Sequence, residues 1–552
     1  MKKCFLFTMV MCCLAQVIFA QTAPTCYRLT FTDKNNTPYS VDNPTAYLSE
    51  RAIAKRSRFS IPITEQDFPV NPQYVQQILS MDTNIRILCS CKWFNTVTVY
   101  CPNAAVLPQL SILPFVSDVL PVANYNLEAP LFSLKEDMEE TQTPVVFNNF
   151  KEEVVPYDYG YGYGQIAIHN GHLLHNEGFR GDGMLIAVID GGWNGVDTIE
   201  SFRKVFEEGR MLGTCDLLPW SNNVFEGNHH GTIVTATMAV SEENVLVGTA
   251  PQASYFLIRS EEVNQEQLIE EDFWAQAAVI ADSIGADVVS SSLGYTTFRD
   301  FPEASLTYEN MDGVSSIASL AATMLTEKGV VVCVSAGNDG NKEWHYIGHP
   351  ADAFNILTVG AVGLDSVSAY FSSYGPSYDG RVKPDVASVG MNTYCIAPDN
   401  QVTVANGTSF SCPIVAGLCA CLWQALPAAS VSEIMQFVRE SGSCYQNPND
   451  SLGYGIPDFY AAYSRHTAVP TRRVDAIEVF PNPTSDFVHI ANSNLQISKV
   501  ELYTSSGQMI KLVCNPEDYL STIDLQDMPR GAYVGKVYFQ NGTTAFFKIM
   551  KL

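Results

Sequence analysis

The order of apolar and polar positions divides the chain into three textures. Between residues 26 and 122, Tyr27, Leu29 and Phe31 alternate with polar neighbours as a half-buried strand does. A helix-like stretch from Pro44 to Arg56 follows, and a second pair of strands is expected around Ile85 to Tyr100, which predicts a small α+β module. From Gln165 to about His466, short and almost unbroken apolar runs (Met184–Ile189, Ala286–Val289, Gly329–Val334, Ile356–Val359) alternate with helix-length segments. Strands buried on both faces read this way, so the class here is α/β, a mostly parallel sheet flanked by helices. Past Pro470 the alternation returns with turn signals at Pro481-Asn482-Pro483, Ser506-Gly507 and Asn541-Gly542, predicting a C-terminal β-sandwich.

Two further stretches frame these textures. Lys2 and Lys3 precede an apolar run from Cys4 to Ala20, the arrangement of a secretory signal peptide cut after Ala20. The alternative, an uncleaved anchor helix, fits less well because the run is shorter than the roughly 20 residues a span needs. Between Glu128 and Glu153 the chain turns acidic, with Lys135 to Glu140 reading KEDMEE, and the Tyr/Gly run Tyr157–Gly164 follows; both are expected to be exposed linker. The division is therefore 1–20 signal peptide, 21–125 N-terminal module, 126–164 acidic linker, 165–466 central domain and 477–552 C-terminal module.

Composition narrows the function. The 552 residues are too many for one ordinary domain at roughly 150 residues each. Against 32 basic residues stand 58 acidic ones, a net charge of -26, or 30 minus 58, -28, once Lys2 and Lys3 leave with the signal. That balance argues against a nucleic-acid partner, because phosphate binding needs a clustered excess of Lys and Arg. Fifteen cysteines become twelve after loss of Cys4, Cys12 and Cys13. Export permits disulfides without requiring them, and pairing among Cys89, Cys91 and Cys101 stays open. Cys333, Cys419 and Cys421 are expected to be small buried hydrophobes. No CxxC pair occurs, and no HExxH among the nine histidines, which disfavours a structural zinc site and a zinc metalloprotease.

The candidate chemistry lies in the central domain. Ile186 to Gly192 is an apolar strand ending in Asp190, followed by two glycines; in an open parallel sheet, sites form at the carboxyl ends of strands. Asn228 to Val234 sets His230 at the opening of a helix, and Gly407 to Pro413 sets Ser409 on a glycine-preceded turn entering a helix from Ile414 to Leu426. A serine hydroxyl is a poor nucleophile unless an imidazole takes its proton and a carboxylate holds that imidazole's tautomer. Read singly, Asp190 is a turn carboxylate, His230 a satisfied histidine, Ser409 a helix cap and Asn338 a turn residue. In order, with intervals of 40, 108 and 71 between Asp190, His230, Asn338 and Ser409, they point to catalysis.

These segments resemble the Asp, His and Ser motifs of the subtilisin-like serine proteases, whose chain order is the same. Val332 to Asn338 resembles that family's oxyanion strand, which implies that the Asn338 side chain and the Ser409 N–H receive the developing oxyanion. Ser292-Leu293-Gly294 resembles the edge segment that pairs with an extended substrate, with Gly337 beside it, and Gly248-Thr249-Ala250-Pro251 resembles the segment after the catalytic histidine helix. Alignment puts Gly348 at the base of the primary specificity pocket, where a glycine leaves room for a large apolar or aromatic side chain. The resemblance implies a secreted endopeptidase acting on protein or peptide substrates; the rival is a surface binding protein that keeps the scaffold without catalysis.

Three departures stand out. Gly191 occupies a position where the family has Ser or Thr, removing a hydroxyl beside Asp190. Cys412 replaces a small residue near the nucleophile, which implies sensitivity to thiol reagents. The segment around Glu242-Glu243-Asn244 is one residue shorter than in the type member, where it supplies a calcium ligand; no cofactor is implied, and calcium as a structural ion is not assignable. The N-terminal module resembles the prodomain of secreted subtilases, an intramolecular inhibitor, with a permanent accessory domain as the alternative. The C-terminal module, with Val479 to Pro483, Gly531-Ala532-Tyr533 and Lys548 to Leu552, resembles the sorting domain of the type IX secretion system. The implied location is secreted or cell surface, with that machinery as a partner; the alternative is a binding β-sandwich.

Overall fold

A computed structural model describes residues 23–127, 156–467, 477–492, 495–504, 508–540 and 544–552. The signal segment 1–20, the acidic run with KEDMEE, and the turns at Ser506-Gly507 and Asn541-Gly542 lie outside these residues. The chain divides into two compact units, Met1–Tyr463 and Ser464–Leu552.

In the first unit the N-terminal strands β1 (Cys26–Phe31), β2 (Arg86–Cys91), β3 (Thr96–Tyr100) and β4 (Val116–Ala123) form an antiparallel sheet in the order β2-β3-β1-β4. Helices α1 (Glu50–Arg58) and α2 (Pro72–Leu79) accompany them, with a short helical turn at Leu107–Ser111. The expected helix from Pro44 is broken: a single 3-10 turn ends at Ala46, and α1 starts afresh where the Ser49 hydroxyl accepts the Ala52 N–H.

The central domain is a seven-stranded parallel sheet. Its strands are β5 (Leu185–Asp190), β6 (Met211–Asp216), β7 (Ser254–Arg259), β8 (Val288–Ser291), β9 (Val331–Ser335), β10 (Leu357–Val362) and β11 (Val386–Val389), in the order β11-β10-β9-β8-β5-β7-β6. Every residue of β5, β8, β9, β10 and β11 is buried, which explains their unbroken apolar runs. Helices α3 (His230–Ala239), α4 (Ile269–Ser283), α5 (Ile317–Glu327) and α6 (Thr408–Ala425) cover the sheet, and separate apolar cores fill its two faces.

The N-terminal module packs against α4, and charge is buried at that contact. Arg28 grips Asp272 with two hydrogen bonds of 2.5 and 2.8 Å, and Thr98 adds a third at 2.9 Å. At the far end of α4, Asp282 is fully buried between Arg56 at 2.7 Å and Lys92 at 3.0 Å, and Arg56 also holds Asp67 at 3.1 Å. A buried carboxylate persists only with such partners.

The run Tyr157–Gly164 is only partly exposed: Tyr161 and Tyr163 face solvent, while other residues pack. Tyr159 is buried and its hydroxyl meets His175 Nδ1 at 2.9 Å, while Tyr161 N–H donates to the Val245 carbonyl. Gly160, at φ +51°, lets the backbone pass so close to Val245 that a Cβ would stand 2.4 Å from its carbonyl oxygen. Alternating aromatic and glycine gives burial and close approach together, which composition alone reads as flexibility.

In the second unit β12 (Glu478–Phe480), β13 (Phe487–Ala491) and β16 (Leu520–Asp524) form one antiparallel sheet. A second contains β14 (Ile497–Thr504), β15 (Met509–Asp518), β17 (Gly531–Phe539) and β18 (Thr544–Lys551) in the order β15-β14-β17-β18. Val488, Ile523, Leu502, Val537 and Ile549 from both sheets share one core, so the module is a β-sandwich.

Candidate active site

The sheet order brings four strand ends side by side. Asn338 follows β9, Ser292-Leu293-Gly294 follows β8, Asp190 ends β5 and Glu261 follows β7. All face a cleft of about 450 Å³ that is also lined by His230 and Ser409. The cleft gathers every one of the nine residues singled out from sequence: Asp190, His230, Asn338 and Ser409, with Ser292, Leu293, Gly294, Gly337 and Gly348.

Asp190 is fully buried, and its Oδ1 accepts from His230 Nδ1 at 2.8 Å and from the Gly191 N–H at 2.7 Å. Asp190 Oδ2 has no partner among the described residues. A Cβ at Gly191 would meet Val263 Cγ1 at 2.8 Å, so glycine accommodates a side chain of the cleft wall. His230 opens α3, and its N–H donates to Asn228 Oδ1 at 2.6 Å. Desolvation alone would depress the His230 pKa, but the Asp190 charge, the hydrogen bond to it and the Glu261 charge raise it above the ordinary value. Gly231 is forced by packing, since a Cβ would lie 2.5 Å from the Gly192 carbonyl oxygen.

Ser409 lies in the first turn of α6. The helix begins at Thr408, well upstream of the Ile414 expected from sequence. Pro413 suggested a later start because proline lacks the N–H that would bond four residues back, here to the Ser409 carbonyl. The Ser292 hydroxyl takes over, donating to that carbonyl at 2.9 Å, so the helix continues through the proline. Ser409 Oγ lies 3.5 Å from the Ser292 carbonyl, and no hydrogen bond joins it to His230. Such a bond commonly tightens only with substrate present.

Asn338 Oδ1 accepts from the Thr408 N–H at 2.9 Å and Thr408 Oγ1 at 3.1 Å. An N–H only donates, so these contacts fix the amide orientation and leave Nδ2 as the donor end in the cleft. Gly337, at φ +106°, donates its N–H to Thr408 Oγ1 at 3.2 Å. Gly348 lines the cleft, but the space its Cβ would need is taken by the Tyr295 carbonyl oxygen, 2.7 Å away. Glycine there serves the pairing of Tyr295 with His349 as well as the pocket.

Cys412 differs from expectation. It is fully buried, its Sγ lies 3.5 Å from the Ser291 carbonyl, and burial pushes its thiol well up. A protonated, inaccessible thiol is a poor target for thiol reagents. Cys89, Cys91 and Cys101 are buried free thiols, as are Cys333, Cys419 and Cys421. Glu242 is engaged by Ser201 at 2.6 Å, and no group of three or more His, Cys, Asp or Glu side chains is placed to hold a metal among the described residues. Sequence reasoning missed Glu261, Val263, Thr296, Asp339 and Lys342 in the cleft wall, because each sits on a loop whose motif carries no signature.

The end of the N-terminal module reaches the same region. The Asn124 N–H donates to Gln267 Oε1 at 2.9 Å, and the buried Tyr125 ring meets Trp220 edge-on with centroids 4.9 Å apart.

Residues 181–455 match the subtilase family (Peptidase S8), residues 26–140 the Peptidase S8 propeptide domain of Bacteroidota, and residues 478–551 the secretion system C-terminal sorting domain. The chain is 27% identical over 289 residues to the M-protease of Shouchella clausii (strain KSM-K16), covering 52% of this chain and 66% of that protein. It is equally identical over 289 residues to subtilisin BL of Lederbergia lenta, covering 52% of this chain and 93% of the relative. The crystal structure of MycP1 from Mycobacterium smegmatis is similar at 21% identity and a TM-score of 0.43, covering 58% of this chain and 87% of that one.

Proposed function

The chain belongs to the subtilase family of serine endopeptidases, and we propose that it hydrolyses peptide bonds through an acyl-enzyme on Ser409 after being made as an inactive precursor. The observation that carries this reading is the 2.8 Å bond from His230 to a buried Asp190 in a cleft that also holds Ser409 and Asn338. In the proposed reaction His230 takes the Ser409 proton as Oγ attacks the scissile carbonyl, and then returns it to the leaving amine. Asp190 holds Nδ1–H, keeps Nε2 free as the base and stabilises the imidazolium. Asn338 Nδ2 and the Ser409 N–H receive the oxyanion. Ser292-Leu293-Gly294 pairs with the substrate backbone, and the Gly348 slot takes a large apolar or aromatic side chain.

The sorting domain marks the chain for export through the type IX secretion system to the cell surface or the medium. The propeptide domain acts as an intramolecular inhibitor in this reading. The bond from the Asn124 N–H to Gln267 supports it, because the loop that carries Gln267 also supplies Glu261 and Val263 to the cleft. We assign residues 21–125 to that domain and 165–466 to the enzyme. Fluorophosphonate labelling of the processed protein beside Ser409→Ala tests the reading: labelling that depends on Ser409 is expected, and its absence from the wild type sinks the protease assignment in favour of a binding protein on the same scaffold.

A further inference from the structure

The cleft has two walls of different character. On one side lie Ala336, Gly337 and Gly348, all small. On the other stand Glu261 and Val263, in the loop that follows β7, with His230 at the start of α3. The half-buried Glu261 carboxylate makes no hydrogen bond or ion pair among the described residues. The nearby cations are committed elsewhere: Lys342 holds Asp339 at 2.8 Å, and Arg259 is shared by Glu262 at 3.4 Å and Asp216 at 3.6 Å. Burial, then Glu266 and Asp190, push the Glu261 carboxyl up to about 8, so the free site holds it largely protonated and an approaching cation draws that proton off.

An extended peptide paired along Ser292-Leu293-Gly294 sends successive side chains to opposite sides. A residue seated in the Gly348 slot therefore directs the residue before it at the opposite wall, where Glu261 stands beside His230. We propose that Glu261 is the specificity-determining side chain of a second subsite that takes a lysine or arginine at the substrate position immediately before the residue in the Gly348 slot. The proposal rests on the endopeptidase reading. A bound ammonium or guanidinium stabilises the ionised carboxylate, whose proton leaves to solvent, and the low dielectric of the half-buried wall makes that pairing stronger than one at an open surface.

The test uses enzyme processed from the full precursor and three matched peptides with Phe for the Gly348 slot, differing only in lysine, norleucine or glutamate at the preceding position. Wild type is expected to cleave the lysine peptide at least about tenfold better in kcat/KM than its neutral isostere. Glu261→Gln is expected to bring that ratio toward one, and Glu261→Lys to turn the preference toward glutamate; reading ratios within one enzyme cancels any general loss of activity. Cleavage of all three peptides at similar rates by wild type, or a lysine preference that survives Glu261→Gln, overturns the proposal alone. No cleavage of any peptide, together with no Ser409-dependent fluorophosphonate labelling, overturns the endopeptidase reading and this subsite with it.

Discussion

Ser292 and Ser409 are joined by a hydrogen bond of 2.9 Å from the Ser292 hydroxyl to the Ser409 carbonyl. The bond links the segment proposed to pair with substrate to the turn of the proposed nucleophile, and Pro413 is its cause, since the proline removes the N–H that would otherwise serve that carbonyl. Ser292→Ala leaves a buried acceptor unsatisfied, at a cost of about 1–3 kcal/mol in thermal or denaturant unfolding, and lowers kcat/KM by loosening the turn. Pro413→Ala restores the N–H, so the same substitution in that background is expected to cost less. Equal costs in both backgrounds would show that the hydroxyl acts in some other way.

Removal of the Asn338 amide should reduce kcat far more than it changes KM, because in the proposed reaction its Nδ2 donor serves the transition state. For Asn338→Ala the expected loss is roughly 10²–10³, the size known for one oxyanion donor in subtilisin. Steady-state kinetics on one peptide decide it; a loss confined to KM assigns Asn338 to ground-state binding.

The His230 imidazole carries a pH dependence of known sign. Desolvation lowers its pKa, but the Asp190 charge and hydrogen bond and the Glu261 charge raise it above 6.5. A general base must be neutral, so kcat/KM is expected to climb with pH through a midpoint above 6.5 and to be lost below it. NMR titration of the imidazole should show that midpoint moving down in Asp190→Asn. An unmoved midpoint would mean that the carboxylate does not set the charge of this histidine.

The buried network at Asp282 predicts acid release of the N-terminal domain. Burial raises the Asp282 carboxyl, but Lys92 and Arg56 outweigh it and hold it below 3.8, and Asp67 is likewise held down, chiefly by Arg56. Carboxyls lowered in the docked state favour docking above their undocked pKa and cease to do so as pH falls through the docked value. Hydrogen exchange of residues 50–58 in the Ser409→Ala precursor is therefore expected to accelerate below about pH 3.8. Asp282→Asn should have the same effect at neutral pH, where breaking a buried pair costs about 3–5 kcal/mol. Exchange unchanged in both experiments would locate the grip elsewhere, for instance at Arg28 and Asp272.

The Gly348 slot predicts cleavage after large apolar or aromatic residues in a peptide panel. Gly348→Val is expected to abolish it, because the added Cβ would stand 2.7 Å from the Tyr295 carbonyl and force apart the backbone that lines the slot. Cleavage confined to sites after Arg or Lys would refute the slot.

Local periodicity and motif chemistry made much of this protein legible. The unbroken runs at Leu185–Asp190 and Val331–Ser335 announced strands buried on both faces, because a strand with a solvent face must alternate. Asp190, His230, Asn338 and Ser409 could be singled out because each sits in a short segment that carries glycine, which at Gly231 is required by a close approach to the Gly192 carbonyl. What sequence could not supply depends on contacts between distant segments. The start of α6 upstream of Pro413 required Ser292, 117 positions away from Ser409, and no local propensity registers such a donor. Tyr157–Gly164 read as linker because its burial depends on His175 and Val245. Glu261 was silent because an ordinary loop carboxylate acquires meaning only when β7 is set beside β5 and its side chain reaches the cleft without a cation. Local pattern was enough to mark the candidate residues and the strands buried on both faces; contacts between distant segments set their neighbours, and with them charge, access and the course of α6.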